Sequence, residues 1–499
     1  MVFSKRVLNL GAQQIRVVAN MLSGLMVTRL IIQHLGAGIY ANIGVMLAVI
    51  AFVGIMVNAY SGAAARFITQ SIARDNMHEA SNYLSNSILA VLVIVSAISV
   101  PLLLIQASRV GTFGELSAGM MLLFVVGTLF NGLAGVFRSI NFATECLVSS
   151  SIIFAFSRLF YVALVFFFVV KLSVGVWGVA LSYCLSGGVA LLGLLMASRL
   201  ILPAVRYSSA NFSPNIFRQV FSYVSWSLLI YFGLFCSGPG IQIVTKNALP
   251  SHSLGLVLIV LSVQLGSIAG LFLMNLNVLT SPGIYKALAI NDNESASRLV
   301  ERHFFLIGIF SSLGILLFVL KGDYFLRIWL GEQVPDGIIS VAVGILVAVS
   351  LNGLSVSLNA FLSGAGHVRL YGIICLIEGL LNISCVSIVL TIYGDRALYL
   401  VGWVLSAIAV FKLSFVVVIF RNILKLSSIA VYLKKGLIIG FTLLVSLGLF
   451  WLLKKLCFNN FYMEVFELTL LSIPFLILIM RYVFPRPRWG LSKRCGVIL

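Results

Sequence analysis

The chain has 499 residues, of which 61% are hydrophobic and only 9% are charged, and its formal net charge is +19. A soluble domain carries about 25% charged residues, so this composition excludes a soluble globular protein and predicts a polytopic membrane protein. The excess Lys and Arg are dispersed among short segments between apolar runs, which is typical of loops that face anionic lipid. No nucleic-acid partner is therefore expected.

Hydropathy predicts about fourteen membrane-spanning helices. The apolar runs are too long and too continuous for the strands of a membrane barrel, so the predicted fold class is an all-α polytopic membrane protein. In chain order, the spans are approximately 9–35, 39–63, 84–107, 118–137, 147–170, 174–198, 220–246, 253–280, 303–321, 337–363, 368–392, 397–420, 434–453 and 464–484.

The distribution of basic residues predicts the orientation of these spans. If the amino terminus is cytoplasmic, roughly two thirds of the Lys and Arg fall on the cytoplasmic side, where membrane proteins carry an excess of them. The even number of spans then places the carboxyl terminus on the same side. We therefore predict a multi-pass protein with both termini in the cytoplasm.

The first predicted span carries polar residues inside its apolar run, among them Arg16, Asn20 and Arg29. An arginine near the centre of a membrane helix costs about 2.5–3.5 kcal/mol, so it usually faces a bundle interior or a water-filled cavity. At 100° per residue, Arg16 and Asn20 share one face, whereas Arg29 lies nearly opposite. Either the helix bends near Gly24 or Arg29 reaches the outer interface. The span is predicted to form the wall of a polar passage.

Three further basic residues lie within later spans. Arg158 and Lys412 are in the middle of the fifth and twelfth spans, and Lys246 is in the seventh. The seventh span also contains the sequence Gly-Pro-Gly at 238–240, which is predicted to break the helix. A broken helix at membrane depth is tolerated where it lines a cavity.

Basic residues inside the spans outnumber acidic ones. Glu378 is the one acidic residue well inside a span, so most of the cations have no acidic partner there. Snorkelling of the long side chains towards water is one explanation. The other is a cationic cavity for an anionic ligand, and phosphate is the natural match for guanidinium. In that case the substrate-binding residues are Arg16, Arg29, Arg158, Lys246 and Lys412.

Glu378 is a candidate site for a coupling ion, because a buried carboxylate without a partner can exchange protons. The alternative is a structural role, either paired with a buried cation or hydrogen-bonded to Asn382 one turn away. The chain shows no phosphate loop for ATP, and its histidines are isolated, so neither a cofactor nor a metal is predicted. Transport would be driven by H⁺, by Na⁺ or by downhill flow of the substrate.

Two internal similarities predict a duplicated unit of six spans. Residues 76–81 resemble 292–297, and residues 178–182 resemble 402–406, at similar shifts and at equivalent topological positions. Transporters built from repeats bind their substrate near the membrane midplane, between the lobes. The predicted organisation is an N-lobe at 1–205 with helices 1–6, a C-lobe at 206–425 with helices 7–12, and a segment at 426–499 with helices 13–14 and a basic cytoplasmic tail.

A membrane-embedded glycan polymerase or ligase is an alternative from a different functional class. Such an enzyme usually needs a sizeable loop that carries catalytic groups. No connection between the predicted spans exceeds about 25 residues, which leaves no room for a folded domain outside the membrane. The sequence therefore predicts a transporter without catalytic residues and not an enzyme.

Four local segments carry a family resemblance. They are TRLIIQHLGAGIY at 28–40, AAARFITQ at 63–70, FLRIWLG at 325–331 and LSGAGH at 362–367. With these segments, and in its length, span count and two-lobed repeat, the chain resembles the multidrug/oligosaccharidyl-lipid/polysaccharide (MOP) flippase superfamily. The resemblance is to its polysaccharide branch, the Wzx-type flippases of O-antigen and capsule repeat units.

This resemblance implies two six-helix lobes in a V-shaped arrangement plus two extra C-terminal helices. It also implies a function: moving an undecaprenyl-diphosphate-linked oligosaccharide from the cytoplasmic to the periplasmic leaflet of the bacterial inner membrane by alternating access. The expected partners are the polyprenyl-diphosphate-linked glycan, membrane lipids, and the polysaccharide polymerase and chain-length machinery.

Two sister branches of the superfamily remain as alternatives. The lipid II flippases also have fourteen spans and a cationic cavity. The cation-coupled drug exporters rely on acidic residues inside the membrane, often in the first lobe. Because spans one to six of this chain contain no acidic residue away from their edges, drug export is the weaker of the two alternatives.

Overall fold

A computed structural model describes residues 2–107, 117–144, 146–208, 212–249, 254–289, 292–331 and 334–424. Within these ranges the regular elements are helices and no strand occurs, which confirms the predicted all-α class. The helices are α1 (Val2–Leu35), α2 (Ala37–Ala73), α3 (Met77–Ala107), α4 (Ala118–Ala143), α5 (Leu147–Val165), α6 (Val176–Ile201), α7 (Pro214–Ser237), α8 (Pro239–Ala248), α9 (Leu254–Ala289), α10 (Asn293–Leu330), α11 (Ile338–Gly364), α12 (Val368–Tyr393) and α13 (Leu398–Leu424).

Ten helical segments of the described chain are long and apolar enough to cross a membrane, or eleven if the bent pair Pro214–Ser222 and Val224–Ser237 is one span. One of the ten, Val368–Phe420, contains both α12 and α13. Each of the first twelve predicted spans overlaps a helix of the structure. The spans predicted at 434–453 and 464–484 lie outside the described residues, so the total of fourteen stays a prediction.

The seventh predicted span consists of two helices. α7 ends at Ser237 and α8 begins at Pro239, and Gly238 between them has φ −128° and ψ −94°. Proline suits the first position of a helix, because the N–H that it lacks would have no intrahelical partner there. The break predicted from the Gly-Pro-Gly sequence is therefore confirmed.

Three helices extend well beyond the apolar runs that predict them. α2, α9 and α10 have 37, 36 and 38 residues, whereas about 20 residues suffice to cross the hydrocarbon core. The sequence predicts an end of α2 near residue 63, but the helix continues to Ala73. Ala, Arg and Gln sustain a helix after the hydropathy has fallen. As a result, Arg66 lies on a helix and not in a loop.

The pattern of contacts between helices in the first half of the chain, α1–α6, is repeated in the second half, α7–α13. In the first half, α4 packs against α2 and α6, and α1 packs against α5. In the second half, α11 packs against α9 and α13, and α7 packs against α12. The lobe boundaries at 205 and 425 stay predictions, and the segment at 426–499 lies outside the described residues.

The two halves meet in a buried apolar seam at one end of the helix bundle. Ile32, Tyr40 and Ile43 of the first half share one core with Ile241 and Leu256 of the second half. The seam occupies the end of α1 and the beginnings of α2 and α9, which the predicted orientation places on the periplasmic side. The structure is therefore closed at this end.

Hydrogen bonds between α1 and α10 join the halves near the same end. The indole Nε1 of Trp329 donates to the carbonyl of Leu25 at 2.8 Å, and Trp329 itself is buried. At the middle of the bundle, the ring of Phe52 on α2 lies 5.9 Å from Phe232 and 5.2 Å from Phe235 on α7. α2 therefore also contacts α7 outside the seam, near the middle of the bundle. The open space between the two halves is not at this contact.

Candidate functional site

A cavity of about 680 Å³ lies between the seam and the opposite end of the helix bundle, and we call it the central cavity. Its wall is formed by residues of α1, α2, α4, α5 and α6, and α9 contributes Leu271 and Asn275. Arg66 and Phe142 at its rim are exposed. From Tyr40 in the seam to Arg66 is 26 residues of continuous helix, or roughly 40 Å at 1.5 Å per residue. The cavity is thus at the end of the bundle that is predicted to be cytoplasmic.

Four arginines line the central cavity, one from each of four helices. They are Arg16 on α1, Arg66 on α2, Arg138 on α4 and Arg158 on α5. Among the described residues, no Asp or Glu lines it. Arg16 lies close enough to both Arg138 and Arg158 to repel them electrostatically. The cavity wall therefore concentrates positive charge in a region whose surroundings are apolar.

Packing and hydrogen bonds position the helices that carry these arginines. The hydroxyl of Ser23 on α1 donates to the backbone carbonyl of Arg158 on α5 at 3.1 Å, which holds the two helices in register. The guanidinium carbon of Arg138 lies 5.7 Å from the centre of the Phe154 ring, within the range of a cation–π interaction. A Cβ at Gly132 would collide with Val57, so glycine allows α4 to approach α2 closely. The fold thus fixes the backbone positions from which these arginines extend.

Neutral polar side chains fill the spaces between the arginines. Asn131 donates from Nδ2 to the carbonyl of Gly127 at 2.8 Å, and the hydroxyl of Thr128 lies 3.4 Å from that of Tyr183. Amides and hydroxyls in fixed positions can both donate to and accept from a ligand rich in hydroxyl groups. The lining contains a set of eight such residues: Asn20, Asn58, Ser61, Thr128, Asn131, Ser139, Tyr183 and Asn275.

The structure brings together two of the five predicted binding residues, Arg16 and Arg158. It adds Arg66 and Arg138, which the hydropathy analysis assigns to cytoplasmic loops. A signal for Arg66 is present in the sequence, because Asn58, Ser61, Ala65 and Arg66 recur at helical spacing along one face of α2. Extending α2 past its apolar run would have revealed that stripe.

Arg29 does not line the central cavity. Its Nη1 donates to the carbonyl of Ile328 on α10 at 3.1 Å, and the side chain is exposed at the seam end of α1. α1 is one helix from Val2 to Leu35. Of the two alternatives for this residue, the structure therefore shows the one in which Arg29 reaches the outer end. The role in substrate binding predicted for Arg29 has no support from this position.

Lys246 also lies away from the central cavity. It is on α8, where Ile241, and Leu249 just after the helix, belong to the seam core, and Lys246 is only 7% exposed. Its Nζ has no hydrogen-bond partner among the described residues, and neither has Oε1 of Gln242 one turn earlier. A cation is thus buried in the closed contact between the halves.

Changing Lys246 to methionine should stabilise the purified protein. An unsatisfied buried polar group costs about 1–3 kcal/mol, and more if it is charged, so a neutral side chain of similar length removes that cost. Thermal or denaturant unfolding in mild detergent measures the effect, and Lys171→Met, at an exposed position, is the matched control. A loss of stability would contradict the absence of a partner for the Lys246 ammonium group.

Lys412 is paired with the one acidic residue in its vicinity. Its Nζ lies 2.6 Å from Oε2 of Glu378 and 2.9 Å from Oδ1 of Asn352, and both charged side chains are almost completely buried. Asn382 donates to Ser237 at 2.7 Å. Of the alternatives for Glu378, the structure thus shows the pairing with a cation. α12 and α13 bring the two residues together, and Lys412 does not line the central cavity.

Comparison with known proteins was made by sequence and by structure. No protein-family model matches the chain, and no curated protein matches it.

In the described part of the chain, no group of three or more His, Cys, Asp or Glu residues could hold a metal ion.

Solved structures of membrane transporters do match. An inward-facing multidrug resistance MATE family transporter of the MOP superfamily has a TM-score of 0.65 at 14% identity, covering 85% of this chain and 99% of that chain. A MOP superfamily transporter from Pyrococcus furiosus, described by the reverse polarity of its binding pocket, has a TM-score of 0.64 at 15% identity, covering 85% and 96%. The Vibrio cholerae MATE transporter VcmN, in its bent form, gives 0.61 at 14%, covering 85% and 98%. The chain therefore has the fold of the MATE transporters of the MOP superfamily, which are polytopic membrane proteins.

Proposed function

We propose that the chain is a flippase of the polysaccharide branch of the MOP superfamily. It moves an undecaprenyl-diphosphate-linked oligosaccharide, an O-antigen or capsule repeat unit, from the cytoplasmic to the periplasmic leaflet of the bacterial inner membrane. The observation that carries this proposal is the lining of the central cavity, where four arginines and no acidic residue are found among the described residues.

The charge of the cavity selects an anionic cargo. Guanidinium groups bind phosphate oxygens through paired, charge-assisted hydrogen bonds, and these bonds are stronger where water is scarce. A diphosphate also places negative charge beside Arg16 and Arg158, and it relieves the repulsion between them. A neutral cargo forms only the weaker, uncharged type of acceptor contact with these arginines, and a cationic drug is repelled by them.

The neutral part of the lining suits a sugar. Asn20, Asn58, Asn131 and Asn275 provide amide groups, and Ser61 adds a hydroxyl. Sugar hydroxyls donate and accept hydrogen bonds, as these side chains do. A cavity of about 680 Å³ lies within the usual range of about 300–1,000 Å³ for ligand sites, so it accommodates the diphosphate and the sugars nearest to it. The lipid tail remains in the bilayer.

The closed seam and the open cavity correspond to one state of an alternating-access cycle. The halves are in contact at the predicted periplasmic end, while the cavity rim with Arg66 faces the predicted cytoplasm. Substrate enters from that side. Rocking of the halves about the membrane midplane would open the seam and release the glycan outside.

Two related functions are distinguished by the cargo. A lipid II flippase carries the same diphosphate, and the two functions differ in which lipid-linked precursor accumulates when the protein is lost. Cation-coupled drug export is disfavoured by a specific observation: Glu378, the acidic residue inside the spans, is paired with Lys412 and lies outside the lining of the central cavity.

Loss of the protein should leave the lipid-linked glycan in the cytoplasmic leaflet and remove the glycan from the cell surface. The side on which the glycan lies is measured in right-side-out and inverted vesicles with a membrane-impermeant oxidant. The wild-type gene should restore the surface glycan. Unchanged sidedness would contradict the proposal, accumulation of peptidoglycan precursor would favour the lipid II function, and drug sensitivity alone would favour export.

A further inference from the structure

A second cavity, of about 670 Å³, lies on the outer side of the first half. It is bounded by α3, α4 and α6 and by the segment 202–208 that follows α6, and we call it the α3–α6 cleft. Its apolar walls are formed by Leu84, Ile88, Leu133, Phe137, Leu191 and Leu195. It shares no lining residue with the central cavity, which lies on the opposite face of α4.

Two arginines stand at the polar end of the cleft, and no acidic residue lines it among the described residues. Arg199 lies in the last turn of α6, next to Leu200, which is 83% exposed. Such a large exposed leucine beside an arginine is typical of a helix leaving the bilayer, with the apolar side chain in lipid and the guanidinium at the headgroups. Arg206 follows in the next segment. Tyr207 completes this end of the cleft.

The segment that carries Arg206 is held firmly against α3. The backbone N–H of Arg206 donates to the hydroxyl of Ser81 at 3.2 Å, and that of Ser208 donates to the hydroxyl of Ser85 at 3.2 Å. Val205 between the arginine and α6 is buried in the core of the first half. Arg206 Nε donates to the carbonyl of Pro203 at 2.9 Å, which leaves its remaining donors for a ligand.

We propose that the α3–α6 cleft binds an anionic phospholipid of the cytoplasmic leaflet. The phosphate of the headgroup accepts hydrogen bonds from Arg199 and Arg206, and an acyl chain lies along Leu133, Leu191 and Leu195. Basic pockets between membrane helices on the cytoplasmic side are the usual place for such lipids. This site is separate from the glycan site, and it does not depend on which cargo the central cavity takes.

Charge argues against other occupants of the cleft. The segment at 426–499 carries Arg481, Arg486, Arg488, Lys493 and Arg494 at its end, and a second copy of the chain has a net charge of +19, so both are repelled by the two arginines. A free phosphate would satisfy the guanidinium groups but would leave the apolar walls exposed to water. A lipid with a negative headgroup satisfies both parts of the cleft.

Retention of phosphatidylglycerol by the purified full-length protein tests this proposal. In mild detergent, wild type should bind phosphatidylglycerol in preference to phosphatidylcholine, measured by native mass spectrometry and by the shift in melting temperature on adding each lipid. The double variant Arg199→Gln/Arg206→Gln should bind phosphatidylglycerol at least tenfold more weakly. The matched control, Arg74→Gln/Arg218→Gln, removes two exposed arginines from the same side and should bind it normally.

A second variant tests the apolar part of the cleft. Leu195→Trp should fill the space for the acyl chain and abolish the preference for phosphatidylglycerol without changing any charge. Inorganic phosphate should not reproduce the shift in melting temperature. The proposal is overturned if the two double variants bind the lipid equally well, if Leu195→Trp keeps full binding, or if inorganic phosphate stabilises wild type as strongly as the lipid does.

Discussion

Changing Arg16 and Arg158 together to glutamine should lower transport of a diphosphate-linked glycan by about 100-fold or more. A hydrogen bond to a charged group contributes about 1.5–3 kcal/mol, and every 1.4 kcal/mol is a factor of ten, so two lost guanidiniums give a decrease of this size. The empty protein should be at least as stable as wild type, because the two arginines repel each other. Transport into proteoliposomes and thermal unfolding measure the two effects.

The matched control for this double variant is Arg29→Gln. Like the Arg16 half of the double variant, it removes one positive charge from α1, but at the seam end, where Arg29 contacts the carbonyl of Ile328. An exposed substitution of this kind usually changes the energy by less than about 0.5 kcal/mol, so transport should stay within roughly twofold of wild type. If Arg29→Gln reduces transport as much as the double variant, the central cavity is not the binding site.

Changing Lys412 to methionine should lower the free energy of unfolding by about 3–5 kcal/mol. The substitution leaves the carboxylate of Glu378 buried without its 2.6 Å partner, and removing one member of a buried ion pair has a cost of this size. Asn352 cannot replace the lost charge, because an amide is neutral. Denaturant unfolding of the purified protein in mild detergent measures the loss.

Removing both charges of the pair distinguishes a structural role of the ion pair from a role of Glu378 in coupling transport to an ion. Lys412→Met combined with Glu378→Gln should recover most of the stability, since a buried ion pair replaced as a whole costs little. Normal transport by this double variant would assign the pair a structural role, whereas a stable protein with abolished transport would assign Glu378 to ion coupling. Full stability of Lys412→Met alone would contradict the burial of the pair.

Much of the fold could be predicted from the sequence because lipid restricts the choices. Backbone groups in hydrocarbon must be paired within a helix, so long apolar runs are sufficient to locate α3, α6 and α12. Gly-Pro-Gly removes a backbone donor and gave the position of the break between α7 and α8. Hydropathy does not predict the ends of α2 and α10, because polar helix-forming residues extend these helices beyond their apolar runs.

The candidate site was only partly predictable, for a reason of tertiary structure. Arg16 could be found because one helix face collects it with Asn20. The pairing of Lys412 with Glu378 could not, since it depends on how α12 packs against α13, and neither helix alone shows which face meets the other. Without the contact between α12 and α13, the sequence does not distinguish a paired lysine such as Lys412, or an exposed arginine such as Arg29, from a cation that lines the cavity.

The most direct test of the cationic cavity uses one glycan on three carriers in proteoliposomes. The carriers are undecaprenyl diphosphate, an uncharged polyprenol of equal length and a polyprenyl amine, and the fraction of glycan reaching the far leaflet is measured. We expect the diphosphate form alone to be moved, and more slowly as salt screens the arginines. Equal movement of the uncharged or the amine-linked glycan would contradict a site that selects its cargo by negative charge.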